Sequence, residues 1–259
     1  MGKVKSRRCL KALTLSGRVA GRRDWGDTVK AKRKIKSARE TDPDNIHLVG
    51  HEPRWPSLIA GLAVGGLYMA LPAQLTIGPR WLLLAIVCSL QAALWLAMRR
   101  RNYAVSTAIG HSLSAVITLF MIASLGLLIQ ALPSHKEQPT RLLGSAVALW
   151  ITNVVVFASW YWRLDAGGPH QRAMRVAHTD GAFLFPQMLI DKEERAELGE
   201  AGWSPVFVDY LFLAFNTSTA LSPTDTAILS RWAKVMMMIQ AMISLAVIAL
   251  LAARAVNML

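Results

Sequence analysis

The chain has 259 residues, of which 53% are hydrophobic and 17% are charged, and its mean hydropathy is +0.34. A soluble globular domain usually carries about 25% charged residues, so this composition argues against a soluble domain and favours an integral membrane protein. The formal net charge is +13, and residues 1–56 hold fifteen Lys or Arg against six Asp or Glu, a local excess of +9.

Residues 1–56 form a basic arm, with the densest charge in KAKRKIK at 30–36. No short apolar region with a small-residue cleavage site follows the basic stretch, so we expect no cleaved signal peptide. Such a patch attracts anionic lipid, and no nucleic-acid recognition fold accompanies it. We therefore expect a solvated, partly disordered cytoplasmic arm that fixes topology and has no specific nucleic-acid partner.

Five apolar runs follow the arm, and each comes close to the roughly 20 residues that cross a bilayer as a helix. The runs are Ser57–Leu75, Trp81–Met98, Ala104–Leu132, Leu142–Trp162 and Trp232–Ala253. A shorter run, Pro205–Ala220, is interrupted by polar residues, and we interpret it as a re-entrant half-helix. The predicted fold class is an all-α, polytopic transmembrane protein with five spans and this half-helix. Six spans are the alternative.

Two regions follow from these runs. Residues 57–132 form a three-helix transmembrane region, and residues 142–257 contain a span, a polar connecting loop, the half-helix and the last span. Inside the spans, the polar residues of interest are His111 and Asn153. An ionisable group at that depth is a candidate for function, although an interhelical hydrogen bond is its commoner role.

The arginines predict the orientation of the chain. Arg99, Arg100 and Arg101 follow the second run, and Arg163, Arg172 and Arg175 follow the fourth, whereas loops 74–80 and 133–141 carry few basic residues. Basic residues flanking spans favour the cytoplasmic side. We therefore expect the N-terminus and both arginine-rich segments in the cytoplasm, with the protein in the cell (inner) membrane.

The fourth run ends in a stop signal, because Gly167-Gly168-Pro169 supplies a left-handed cap and blocks continuation of the helix. Asp165 is expected to pair with Arg163 or a neighbouring basic residue. The aromatic side chains of this run fit an interfacial belt; they are Trp150, Trp160, Tyr161 and Trp162.

One alternative function is a membrane enzyme acting on lipid. The side chains that suit acid–base chemistry are Asp165, His170, His178 and Asp180. No nucleophile lies beside them, and their spacing matches no zinc pattern. Cys9 and Cys88 form no disulfide framework. We expect no catalytic residue, metal or cofactor.

The stretch before the last run carries the clearest motif. Residues 214–226 read AFNTSTALSPTDT, and a collar of Arg231, Trp232 and Lys234 follows. The order of elements here is a short helix, a hydroxyl-rich extended segment, an Asp, the collar and a long helix. This order resembles that of the pore domain of potassium channels. Residues 216–225 can be laid without a gap on E-T-A-T-T-V-G-Y-G-D. The chain also looks like an uncharacterised family of bacterial multi-pass membrane proteins that share SPTDT and SRWAK before their last helix.

The resemblance implies a filter-like segment, with Leu142–Trp162 as outer helix and the last run as inner helix. The filter-like positions are Asn216, Thr217, Ser218, Thr219, Ser222, Pro223, Thr224 and Asp225. Ser222 and Thr224 replace filter glycines and Pro223 replaces the tyrosine, so a ladder of inward carbonyls is not expected. Hydroxyls would instead line a poorly selective path for monovalent cations in a tetramer, with Asp225 at one mouth. A non-conducting scaffold or accessory subunit is the alternative.

Overall fold

The computed structural model describes residues 55–131, 139–173, 181–191, 194, 197–199, 203–219 and 225–256, all within the compact unit 49–259. Residues 1–54 of the predicted arm lie outside the described residues. The described chain is all-α. Its helices are α1 (Trp55–Ala70), α2 (Leu82–Arg99), α3 (Tyr103–Ala131), α4 (Pro139–Leu164), α5 (Pro169–Ala173), α6 (Phe207–Thr219) and α7 (Arg231–Val256). One antiparallel pair joins β1 (Phe183–Leu184) to β2 (Ala227–Ile228).

Four of the five predicted runs form helices that are long and apolar enough to cross a membrane. These segments are Leu82–Arg99, Tyr103–Ala131, Arg141–Gly167 and Arg231–Ala252. The first run is shorter than predicted, because α1 ends at Ala70 and only a 3-10 turn, Ala73–Leu75, follows it. Pro72 explains this end, since its ring removes a backbone donor and blocks continuation of the helix.

Helices α1 and α2 are antiparallel and pack closely. Gln91 Nε2 on α2 donates to the carbonyl of Leu58 on α1 over 2.9 Å. At the other end of the contact, a Cβ on Gly65 would lie 3.2 Å from the Cα of Leu84. Because Gly61 and Gly65 have no side chain, the backbones of α1 and α2 can approach closely, as they do at small residues in other membrane helix pairs.

Helix α4 is the centre of the bundle and contacts α1, α3, α6 and α7. Its aromatic residues face inward, so the predicted interfacial belt is wrong. Tyr161 is 0% and Trp162 is 2% exposed. Trp160 Nε1 donates to Thr118 Oγ1 on α3 over 3.0 Å. The rings are inside because the bundle supplies both apolar surface and partners for their polar atoms.

The predicted stop after α4 is confirmed. Helix α4 ends at Leu164, and φ is positive at Ala166, Gly167 and Gly168, at 50°, 80° and 90°. The amide of Gly168 donates to the carbonyl of Asp165 over 2.8 Å, which satisfies one of the free carbonyls at the helix end.

The two arginine-rich segments lie at one end of the bundle, as the charge pattern predicts. The ring of Tyr103, which follows the Arg99–Arg101 turn, stacks on His170 with centroids 3.7 Å apart. Gly110 on α3 lies against the guanidinium of Arg163 on α4. We call this end, marked by Arg99 and Arg163, the arginine end. Its cytoplasmic placement remains a prediction.

Candidate functional site: the half-length helix α6

Helix α6 begins at the arginine end. Its 13 residues give a rise of about 20 Å, short of the roughly 30 Å of a bilayer core. Asp209 caps its start, because Asp209 Oδ2 accepts the amide of Val206 over 2.7 Å. The next residue, Tyr210, donates its hydroxyl to Asp165 Oδ2 over 2.6 Å, which ties α6 to the end of α4.

Asp165 is a buried anchor and does not pair with Arg163, one of the two partners that the sequence predicted; the other, a neighbouring basic residue, is present in Arg172. Its side chain is 0% exposed, and Oδ1 accepts the amide of Ala182 over 2.5 Å. Nearby, Arg172 Nη1 donates to the carbonyls of Trp162 and Asp165 over 2.7 and 2.9 Å. The Tyr210 hydroxyl and the Ala182 amide supply the hydrogen bonds that a buried carboxylate needs.

The far end of α6 meets the middles of α4 and α7 in a buried polar cluster. We call it the polar seam; its members are Trp150, Asn153, Tyr161, Ser218, Gln240 and Ser244. Gln240 Nε2 donates to the carbonyl of Ala214 and to Ser218 Oγ, each over 2.7 Å. Gln240 Oε1 accepts the hydroxyl of Tyr161 over 2.6 Å. One amide side chain thus joins three helices.

Ser244 extends the seam by one turn. Its hydroxyl donates to the carbonyl of Ser218 over 2.7 Å and accepts Trp150 Nε1 over 2.8 Å. Asn153, which we singled out as an intramembrane polar residue, donates from Nδ2 to the carbonyl of Gln240 over 3.3 Å. Asn153 Oδ1 is buried without a hydrogen-bond partner in the described structure.

The first four filter-like residues, 216–219, are helical. Thr217 Oγ1 donates to the carbonyl of Leu213 over 2.8 Å, and Thr219 Oγ1 lies 3.1 Å from the carbonyls of Phe215 and Asn216. These hydroxyls are therefore bonded to their own helix, a usual arrangement for Thr in apolar helices. Ser222, Pro223 and Thr224 lie outside the described residues, and any extended piece begins after Thr219.

The chain is back at the arginine end when α7 begins. Asp225 is exposed. The amide of Leu229 donates to the carbonyl of Ala182 over 2.8 Å, beside the β1–β2 pair. The ring of Trp232 packs edge-on against Phe183 at 6.1 Å. The collar residues Arg231, Trp232 and Lys234 are exposed at this end.

Two of the remaining candidates, His111 and His170, line one cavity at the arginine end. His111 Nε2 is buried without a hydrogen-bond partner in the part of the chain described, so this atom does not form the predicted interhelical bond. His170 stacks on Tyr103. His178 and Asp180 of the alternative enzyme set lie outside the described residues. No group of three metal-ligand side chains occurs within the described ranges.

Sequence reasoning missed Gln240 and Ser244, although the signal was present. They are the only uncharged polar residues between Trp232 and Ala252. Residues four apart share a helix face, so this pair predicts a polar stripe on an otherwise apolar helix. No protein-family model, curated protein or solved structure matches the chain, so the assignment of roles depends on this geometry.

Proposed function

We propose that the chain is an ion-channel-like protein of the inner membrane, without enzymatic activity. In this proposal α4 is the outer helix, α6 the re-entrant pore half-helix and α7 the inner helix. The main support for the proposal is the course of the backbone through α6 and back. Helix α6 leaves the arginine end at Tyr210, reaches the polar seam at Ser218, and the chain returns to the arginine end by Leu229.

The depth of α6 supports this interpretation. Ser218 contacts Gln240 and Ser244, which lie about 14 and 20 Å along α7 from Arg231 at 1.5 Å per residue. That is about half of the roughly 30 Å hydrocarbon core. A helix end at this depth exposes backbone carbonyls that lipid cannot satisfy. The polar seam supplies donors to the carbonyls of Ala214 and Ser218, which explains polar residues in an apolar bundle.

The ion-contacting element in this proposal is the segment 220–225. Thr217 and Thr219 donate their hydroxyl protons within α6. Ser222 and Thr224, which follow α6, are the expected oxygen ligands, with Asp225 as the charged mouth. Without filter glycines the path discriminates poorly among monovalent cations.

A central path requires several copies of the chain, and we propose a tetramer. Helix α7 is the least buried of the four long helices. Its exposed apolar side chains include Val235, Met238, Met242 and Leu245. Helix α6 likewise exposes Phe212. These faces are free within one chain to meet lipid or neighbouring copies.

A non-conducting scaffold is the second candidate, and the polar seam itself favours it. The seam gives Ser218 and the backbone end of α6 partners inside one chain, so these residues are explained by packing without any ion. On this alternative the chain keeps the fold of a pore domain but has no ion-conducting path.

The deciding experiment combines oligomeric mass with ion flux. The full chain is purified in mild detergent, its mass is measured by light scattering, and the same sample is reconstituted into liposomes for potassium and sodium flux. We expect a tetramer whose flux falls on Asp225→Asn and is unchanged by Asp191→Asn, a matched exposed carboxylate. A monomer without flux would refute the channel and leave the scaffold.

A further inference from the structure

A cavity of about 390 Å³ opens at the arginine end, away from the half-helix. It lies among the start of α1, the end of α2, the start of α3 and the junction of α4 with α5. Its apolar wall includes Leu58, Leu94 and Met98, and its polar wall includes Thr107, His111 and Arg163. Among the described residues, none that lines the cavity is Asp or Glu.

Arg163 brings to this cavity a positive charge that no carboxylate of the described residues pairs with, and its guanidinium carbon lies 5.3 Å from the centre of the Trp162 ring. Its guanidinium lies where a Cβ on Gly110 would stand, so the glycine makes room for it. Its Nε is buried without a hydrogen-bond partner, and no ion pair joins Arg163 to a carboxylate among the described residues. The carboxylate of Asp165 accepts the hydroxyl of Tyr210 and the amide of Ala182 and does not pair with Arg163. A buried charge without a partner is costly, and a bound anion removes that cost.

His111 adds a second unsatisfied polar atom to the same wall. Its Nε2 is buried without a hydrogen-bond partner in the described structure, and its side chain lines the cavity with Arg163. The hydroxyl of Ser106 and a second imidazole, that of His170, also line the cavity, whereas Thr107 Oγ1 donates to the carbonyl of Tyr103 over 2.9 Å. The described lining thus combines one guanidinium, two imidazoles and serine hydroxyls with no acid, a donor set that suits a phosphate group.

We propose that this cavity binds the phosphate of an anionic phospholipid. Arg163 donates to the phosphate oxygens in the forked geometry that guanidinium favours, and His111 Nε2 supplies a further donor. Leu58, Leu94 and Met98 provide apolar surface for the glycerol and the first carbons of an acyl chain. The exposed Arg99–Arg101 turn at the same end attracts anionic lipid to the opening. The volume is within the usual range of small-molecule sites. The site does not depend on whether α6 forms a pore.

The test measures the melting temperature of the purified full chain against added ligand in mild detergent. Short-chain phosphatidic acid is the probe, diacylglycerol is the matched ligand without phosphate, and inorganic phosphate represents a free anion. We expect phosphatidic acid, and not diacylglycerol, to raise the melting temperature. Arg163→Gln should weaken the apparent affinity by about tenfold or more, because a charge-assisted bidentate contact is lost. Arg80→Gln, at an exposed position of the opposite end of the bundle, should leave it unchanged.

A second variant keeps the test decisive if Arg163→Gln fails to fold. Ala104 lines the cavity, and Ala104→Phe fills it without removing the charge, so it should also weaken binding. A stabilising effect of inorganic phosphate equal to that of phosphatidic acid would assign the site to a free anion. The proposal is overturned if no phosphate ligand stabilises the chain, if diacylglycerol acts as strongly, or if neither variant changes the affinity.

Discussion

Replacing Gln240 with Met tests whether the polar seam holds α6 in place. The substitution keeps the length of the side chain and removes three hydrogen bonds, from Ala214, Ser218 and Tyr161. Interhelical hydrogen bonds in membrane proteins contribute about 0.6 kcal/mol each on average, with maxima near 1.7. A buried group left without a partner costs about 1–3 kcal/mol. We therefore expect Gln240→Met to lower the free energy of unfolding by about 2–4 kcal/mol.

The assay is reversible unfolding in mixed detergent micelles, in which the unfolded fraction is followed as the denaturing detergent is increased. Gln130→Met is the matched control, because Gln130 is exposed at the end of α3 and its loss should cost less than about 0.5 kcal/mol. A double-mutant cycle with Tyr161→Phe should give a coupling energy of about 0.6–1.7 kcal/mol. Equal costs for Gln240→Met and Gln130→Met would refute the structural role of the seam.

Two further substitutions, each with a matched control, test the junction of α4 with α6 and the contact of α1 with α2. Asp165→Asn keeps the shape but removes the negative charge that accepts the Tyr210 hydroxyl and the Ala182 amide, so it should cost about 1.5–3 kcal/mol, whereas exposed Asp191→Asn should cost almost nothing. Gly65→Ala brings a Cβ to 2.8 Å from Leu84 Cδ1 and 3.2 Å from its Cα and should destabilise by about 1–3 kcal/mol. Gly66→Ala meets nothing within 4 Å and should stabilise by up to about 1 kcal/mol. The melting temperature of each variant is measured in one detergent and compared with that of the unmodified chain. An equal shift for a substitution and its matched control would contradict the packing described.

The helices themselves could be predicted because their signals are local. Uninterrupted apolar runs located α2, α3, α4 and α7, and the stop at Gly167-Gly168-Pro169 follows from backbone chemistry. The short length and polar interruptions of Pro205–Ala220 likewise predicted a helix unlike the others. Pro72, which ends α1 early, is also a local signal, and its weight was underestimated.

The contacts that build the site could not be predicted, because they join distant parts of the chain. Asp165 was expected to pair with Arg163 or a neighbouring basic residue, and its carboxylate also accepts the hydroxyl of Tyr210, 45 residues away. The aromatic residues of α4 were assigned to the membrane surface, since composition alone does not say which helix face meets neighbours. Tyr161 instead bonds to Gln240, 79 residues away.

The topology of the half-helix is the central claim, and cysteine labelling tests it most directly. Asp191 precedes α6 and Leu229 follows the loop, and both are exposed. Single variants Asp191→Cys and Leu229→Cys are made after Cys9 and Cys88 are replaced by Ser. Each is treated with a membrane-impermeant maleimide in right-side-out and inside-out vesicles.

Reference positions mark the two sides of the membrane. Arg100→Cys reports the arginine end, and exposed Ile77→Cys, between α1 and α2, reports the opposite end. We predict that positions 191 and 229 are both labelled from the side of position 100. Labelling of position 229 from the side of position 77 would mean that Pro205–Ala220 crosses the membrane, and this would contradict the re-entrant half-helix.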